Sequence, residues 1–388
     1  MPSDQSTWLI AIPNDGEAEG LGQELHSKLA HQSKSFGLAQ LDIPSFKTGT
    51  LDVLIALSEE LPKQDAFFTA TVAKTVDTLR NLLNNDSTKL AQHILIDEQS
   101  IDDYLLKGWK WNEGRYGFQK SLRDLIDTLS KEMASIDNAM KTKLNNYNLV
   151  KGSLTQMQRK KLGNLSVRSL ADVVSKEDFV EDSEYLETLL VAVPRARVKD
   201  WNQKYESLTA MVVPRSSTTI ASDDECTLFG VVLFRRVHDE FVQACRENKF
   251  IVRDFVYSED ELAKQREDLS MADTTEKELW TELLRLSRTN FSESFQILVH
   301  LKVVRLFVES VLRFGLPANY MGIVVKPEAK STKKIFNVLQ NHFAYLSPRS
   351  GRAQAKKAGG EEIIGEYQSL MEQDFYDFIL YEVPWIIN

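Results

Sequence analysis

The chain reads as a mainly helical α+β protein in which a small α/β unit is inserted between two helical arms, and three stretches carry that reading. The first is Trp280–Pro317, WTELLRLSRTNFSESFQILVHLKVVRLFVESVLRFGLP, which from Phe295 to Phe314 is apolar on nearly every side of a helical wheel. A helix that greasy all round is buried in protein or in lipid. His300, Lys302, Arg305, Glu309 and Arg313 interrupt the run, and a membrane span tolerates few such charges, so a buried spine is expected. The second is Gly117–Val150, where Leu122, Leu125, Ile126, Leu129, Met133, Ile136, Met140, Leu144 and Tyr147 recur at helical steps and supply a partner for the spine. The third is Leu189–Tyr257, where strand and helix periods alternate in the order β-α-β-β-α-β, the split arrangement of ferredoxin-like sandwiches.

Composition narrows the function. At 388 residues the chain is longer than a single core usually grows, and about two or three domains are expected. A formal net charge of -9 offers no broad basic surface to phosphates, so a general nucleic-acid binder is not expected. Cys226 and Cys245 are too few for a disulfide framework and lack metal-ligand spacing, which suits reduced thiols in a cytosolic protein. The start, MPSDQSTWLIAIP, lacks the basic and long apolar regions of a secretory signal, and no direct membrane span is expected.

In chain order, Thr7–Ile12 reads as a short buried strand ended by Pro13, and 15–28 as a helix. Leu51–Leu61 and Phe67–Leu83 read as two cover helices, and Ile94–Asp97 as a second short strand. Ile101–Tyr116 sets Tyr104, Trp109, Trp111 and Tyr116 beside two glycines, a bend whose aromatics either anchor a turn on the core or form a binding surface. The basic stretch Gly152–Gly163 reads as a solvated linker. Within the α/β unit the strands are expected at Leu189–Val193, Thr209–Val213, Cys226–Phe234 and Phe250–Tyr257, and the helices at Val198–Leu208 and Val237–Asn248. The charged stretch Ser258–Glu282 returns as a helix straight into the spine, which Gly315 and Pro317 end. Asn319–Lys326 reads as a strand, Lys330–Leu346 as a helix and Ser347–Gly360 as a basic loop. Phe375–Trp385 reads as a helix end or as a strand; a strand there pairs with those at Ile10 and Ile323 and joins both ends of the chain in one sheet.

The motifs of common chemistries are missing. No GxxxxGK[ST] loop, GxGxxG turn, HExxH helix or GxSxG elbow occurs. Six histidines give an acid-base or metal constellation little material, and His26 and His31 are poorly spaced to share a helical face. His300 reads as a hydrogen-bonded core histidine, Asp223 and Asp224 as a solvated turn, and the loop Ser216–Ser222 as flexible, with phosphorylation there an alternative. No catalytic residue, cofactor or metal is therefore expected.

Long blocks resemble the family of C subunits of the vacuolar-type proton-pumping ATPase (V-ATPase). They are KLGNLSVRSLADVV at Lys161–Val174, SEYLETLLVAVP at Ser183–Pro194, MVVPRSS at Met211–Ser217, LFRRVHDEF at Leu233–Phe241, KFIVRDFVYSEDE at Lys249–Glu261, and NFSESF with FVESVLRFGLPANY between Asn290 and Tyr320. TWLIAIP at the start and FKTGTLDVL at Phe46–Leu54 extend the likeness over most of the chain. The resemblance implies a non-catalytic stator subunit with an elongated foot-neck-head architecture. Residues 1–160 would form foot and first neck helix, 161–260 the inserted head, and 261–388 the second neck helix and the rest of the foot. It implies partners as well: stalks made of E and G subunits, and the cytoplasmic domain of the pump's a subunit. Release on reversible disassembly and a place on the cytosolic face of vacuolar and other endomembranes follow from it, and some members bind actin filaments.

On that footing the head is expected to hold an E-G stalk through charges around Arg195, Arg197, Arg235 and Arg236, which otherwise read as a solvated surface. Two rivals remain: an enzyme with an unfamiliar site in the head, since ferredoxin-like folds host many activities, and a cytoskeletal, actin-binding or scaffold protein acting outside the pump.

Overall fold

The computed structural model describes residues 2–14, 18–31, 33, 35–117, 119–180, 183–346 and 376–386. The basic loop expected at Ser347–Gly360 lies outside them, as do residues 15–17 of the first predicted helix. Along the chain come β1 (Ser6–Pro13), α1 (Ala18–Ala30), β2 (Gly37–Leu41), α2 (Leu51–Leu82), α3 (Ser87–His93), α4 (Ile101–Leu106) and α5 (Leu122–Lys161). Then follow β3 (Leu186–Pro194), α6 (Val198–Lys204), β4 (Thr218–Ser222), β5 (Cys226–Phe234), α7 (His238–Glu247) and β6 (Ile251–Arg253). The chain closes with α8 (Glu259–Phe314), β7 (Tyr320–Lys326), α9 (Thr332–His342) and β8 (Ile379–Pro384). Mixed helix and antiparallel sheet make it an α+β protein, divided into two compact units: 1–143 with 282–388, and 144–281.

The first unit is built on an antiparallel sheet of order β2-β7-β1-β8. β1 is paired with β7 through Ile10↔Ile323 and with β8 through Ile10↔Leu380, so of the two forms expected near the C-terminal end, helix end or strand, it is the strand that forms and joins both ends of the chain. The unbroken apolar run of β1 has a physical reason: both faces of the sheet are covered. Leu9 and Ala11 face α2, α5 and α8, whereas Trp8, Ile10 and Ile12 face α1 and α9. The spine is buried as expected, from Phe291 and Phe295 through Val303 to Val308. Its charges are matched inside the unit: Lys302 Nζ donates to both oxygens of Asp65 at 2.9 and 3.1 Å, and Arg305 donates to the same carboxylate.

Several expected boundaries are corrected. Leu51–Leu61 and Phe67–Leu83 are one helix, α2, with Pro62 inside it. Proline removes one backbone bond, but Leu57, Leu61, Asp65 and Phe68 stay on one buried face and hold the helix to the core. The stretch Gly152–Gly163 is not a linker: α5 runs on to Lys161, because Met140, Tyr147 and Leu154 keep a buried position every seven residues past Gly152. Ile94–Asp97 is a turn closed by the single bridge Ile96↔Gln99.

In the second unit the order β3-α6-β4-β5-α7-β6 is realised, in an antiparallel sheet of order β4-β5-β3-β6. The second strand is not Thr209–Val213, however. Pro214 and Arg215, the latter at φ +60, end that segment after one bridge, Val212↔Leu233, and the edge strand is β4, TTIAS. The last strand shrinks to β6. One sheet face, with Val191, Val231 and Leu233, packs on Trp201, Phe241 and Cys245 of α6 and α7. The other, with Leu190, Ala192 and Leu228, is covered by a strap that carries Leu165, Leu170, Val174 and Phe179.

Candidate partner-binding surface

In the second unit β3 and β5 end alike. Each runs into an arginine-bearing 3-10 turn, Arg195–Arg197 after β3 and Arg235–Val237 after β5, and each turn feeds a helix. The strands are antiparallel, with Leu186 opposite Phe234 and Pro194 opposite Cys226, so the turns fall at opposite ends of the sheet. A nine-residue strand separates them by roughly 25–30 Å. The four arginines expected to act together are therefore two pairs.

At the first end Arg195 is exposed, and its backbone N–H donates to the Glu225 carbonyl at 2.9 Å. Arg197 is half-buried, and its guanidinium donates to the carbonyl of Asn248 at the C-terminus of α7, where a cation suits the helix dipole. At the other end Arg235 and Arg236 are both exposed. The Arg235 backbone N–H donates to the Tyr185 carbonyl at 2.9 Å, and its Nε to the Leu186 carbonyl at 3.4 Å.

Beside Arg235 and Arg236 lies an apolar row that charge-based reading of the sequence misses. Side chains alternate along a strand, and Leu189, Val191 and Leu233 point to the helices. Leu186 and Phe234, directly paired, therefore point to the strap side. Met211 joins them: Val212 is bridged to Leu233, which sets Met211 opposite Phe234, and the Phe234 N–H donates to the Met211 carbonyl at 3.2 Å. The described part of the strap includes Val180, whose N–H donates to Thr188 Oγ1 at 3.0 Å. In this row Phe234 and Met211 are each 41% exposed and Leu186 is half-buried, and Val180 beside it is 40% exposed. Tyr185, 68% exposed, adjoins it. Leu186, Phe234, Met211 and Val180 belong to neither core of the unit.

The residues considered for other chemistry are structural. Asp223 is no loose solvated turn. Its carboxylate accepts from the backbone N–H of Leu165 at 2.6 Å, of Cys226 at 2.6 Å and of Glu225 at 2.9 Å, and so ties the strap to the β4–β5 turn. Burial pushes its carboxyl up, but the three donors outweigh that and hold it below the usual value. In the loop Ser216–Ser222, Ser216 Oγ is bonded to Val232 and Ser217 Oγ accepts from Trp201 Nε1, and the second half of the segment is β4. Cys226 and Cys245 are buried on opposite faces of the sheet, and burial alone pushes the Cys245 thiol up to about 12.

In the first unit His300 is 2% exposed, and the bend Ile101–Tyr116 packs on it through Trp109, Trp111 and Tyr116. The aromatics thus anchor a turn on the core. His300 Nε2 accepts from the Asn112 N–H at 3.2 Å, and Nδ1 lies 2.7 Å from the Gln296 carbonyl, to which it donates as the neutral tautomer. Burial lowers its pKa to about 4, with the Gln296 bond opposing and Arg115 adding to the shift. Among the described residues no group of three or more His, Cys, Asp or Glu is placed to hold a metal ion, and no helix is long and apolar enough to cross a membrane.

Comparison with known proteins places these surfaces in a family. The family model of the V-ATPase C subunit matches residues 7–379. The chain is 37% identical over 376 residues to the V-type proton ATPase C subunit 1-B of Danio rerio, covering 97% of each. Identity and coverage are the same with the V-type proton ATPase C subunit 1 of Mus musculus and of Xenopus tropicalis. The chain belongs to the V-ATPase C subunit family.

Proposed function

We propose that this protein is a non-catalytic stator subunit of the vacuolar proton pump. It bridges E-G peripheral stalks to the membrane sector through the cytoplasmic domain of the a subunit, resists the torque of rotation, and controls reversible assembly by its own binding and release. It works on the cytosolic face of vacuolar and other endomembranes. In this reading residues 161–260 are the head, the flanking parts of α5 and α8 the neck, and the remainder the foot.

The observation that carries the reading is the chain's connectivity. Two compact units, each with its own sheet, share one chain, which leaves the first along α5 and returns along α8, both without a break. A subunit that braces two partners needs two folded sites in one molecule, and weak sites so joined gain avidity together and lose it together on release.

The test is co-purification from its own cells. A tagged chain should bring down the E, G and a subunits in stoichiometric amounts from membranes with an assembled pump. Recovery of actin or other cytoskeletal proteins, with E and G absent, would transfer the protein to a role outside the pump.

A further inference from the structure

We infer that the outer edge of β2, at residues 38–40, is a strand-addition site. It takes an extended segment of a partner protein as a fifth strand of the first sheet, with apolar, uncharged side chains where that segment faces α1. The inference goes beyond the stator reading and does not depend on it.

The form of the occupant follows from the backbone. Among the described residues β2 has β7 on one side and no strand on the other, and no hydrogen bond joins the main chain of Gly37–Leu41 to anything but β7. In an antiparallel pair alternate residues turn both N–H and C=O away from their neighbour, so such groups point outward along β2. α4 occupies the Gly37 end, where a Cβ would meet Leu106 Cδ1 at 2.6 Å, which leaves 38–40 as the open stretch. Proteins blunt exposed edges with charge, proline or a bulge. Two other edges show this: β8 ends at Pro384 and Arg313 holds the carbonyls of Tyr376 and Phe378 just before it, while β4 is bulged between Thr219 and Ala221. β2, GLAQL, is short but has no charge, no proline and an unbroken register.

The chemistry of the occupant follows from a cavity of about 420 Å³ between α1 and this edge. Leu25, Leu38 and Ile323 give it apolar walls, and its lining holds no Asp, Glu, Lys or Arg. Of the charges close by, Glu24 and Lys28 pair with each other at 2.6 Å on the α9 side, and Asp42 lies past the end of the strand. A charged side chain entering the cavity would lose its hydration without gaining a partner. Leu38 and Gln40 share the face that looks onto α1, whereas Ala39 packs on the opposite side, so residues added opposite Leu38 and Gln40 would point into the cavity. Gly22 of α1 lines it too. A Cβ there would meet nothing within 4 Å, so no internal contact calls for glycine, which weakens a helix relative to alanine. A main chain brought close to α1 does call for it. A cavity of this size also suits a small molecule, but the unpaired backbone beside it decides for a strand.

The experiment uses the full chain and a synthetic peptide with the sequence of β7, YMGIVVK, the strand that β2 already accepts on its inner side. Fluorescence anisotropy should show saturable binding. Hydrogen exchange should slow at 38–40 while β1 and β7 are unchanged, which excludes displacement of the native strand. N-methylation of alternate peptide residues should abolish binding in one phase and spare it in the other, since only every second N–H faces β2. Gly22→Leu fills the cavity from α1, and Gln40→Lys sets a charge on an exposed edge position. Each should weaken binding about tenfold or more without lowering the thermal midpoint. No binding, or full affinity in both variants, would overturn the inference. Binding that is indifferent to N-methylation but lost in Gly22→Leu would also overturn it, and would make the cavity a site for an apolar small molecule. None of these results bears on the stator reading.

Discussion

Asp65 holds two cations of the spine inside the first unit, and its removal is the sharpest test of that core. Lys302 is 4% exposed, and the Arg305 guanidinium lies 4.0 Å from the ring centre of Tyr381, so neither can reach water easily. Asp65→Asn should cost about 3–5 kcal/mol in urea denaturation, because it strands buried positive charge; a loss within error would show that the cluster is not what locks α8 to α2. His300 gives a pH signature. Its folded pKa, about 4, lies below the ordinary value of 6.5, so between these values the unfolded chain binds more protons. Its contribution is complete above pH 6.5 and is lost as pH falls toward 4. A His300→Gln variant should show a flatter fall in stability over that window, by up to about 3 kcal/mol. These charges were legible in the sequence as reasons against a membrane span. Asp65 as their partner was not, since it lies 237 positions from Lys302 and nothing local marks it.

At the scale of elements, the strap over the second sheet hangs on Asp223. Asp223→Ala removes the acceptor for the Leu165 N–H, and should cost about 1–3 kcal/mol and speed hydrogen exchange across residues 164–174 ahead of the rest of the unit. In the first sheet Gly322 lets β2 approach: a Cβ there would sit 2.6 Å from the Leu41 carbonyl oxygen. Gly322→Ala should loosen β2 from β7, seen as faster exchange at residues 37–41 while β1 stays protected. Elements with a strong apolar signal, an unbroken run in β1 and β5 or a helical period in α5, α7 and α8, were legible. Those missed lack one. β2 is five residues long, at a sheet edge, and largely half-exposed. β4 is polar with no alternation, whereas the more apolar MVV at 211–213 carries the stronger strand signal. α5 was cut short because glycine and lysines outweighed a buried position recurring every seven residues.

For the whole molecule, the β-α-β-β-α-β order was legible, and the return of the chain to the first sheet was legible as one of two alternatives, because the apolar FILYEVP suits a helix end as well as a strand. The candidate surface was legible only in half. Arginines are visible in a sequence, but their division between two ends depends on the antiparallel register of β3 and β5, and the Leu186–Phe234–Met211 row depends on which face each side chain takes. The stator account predicts two binding partners for one chain. The most direct measurement is a calorimetric titration of the full chain against purified E-G heterodimer and, separately, against the cytoplasmic domain of the a subunit. The account predicts saturable binding to both, tighter for E-G; a folded chain that binds only one of them, or neither, would contradict it.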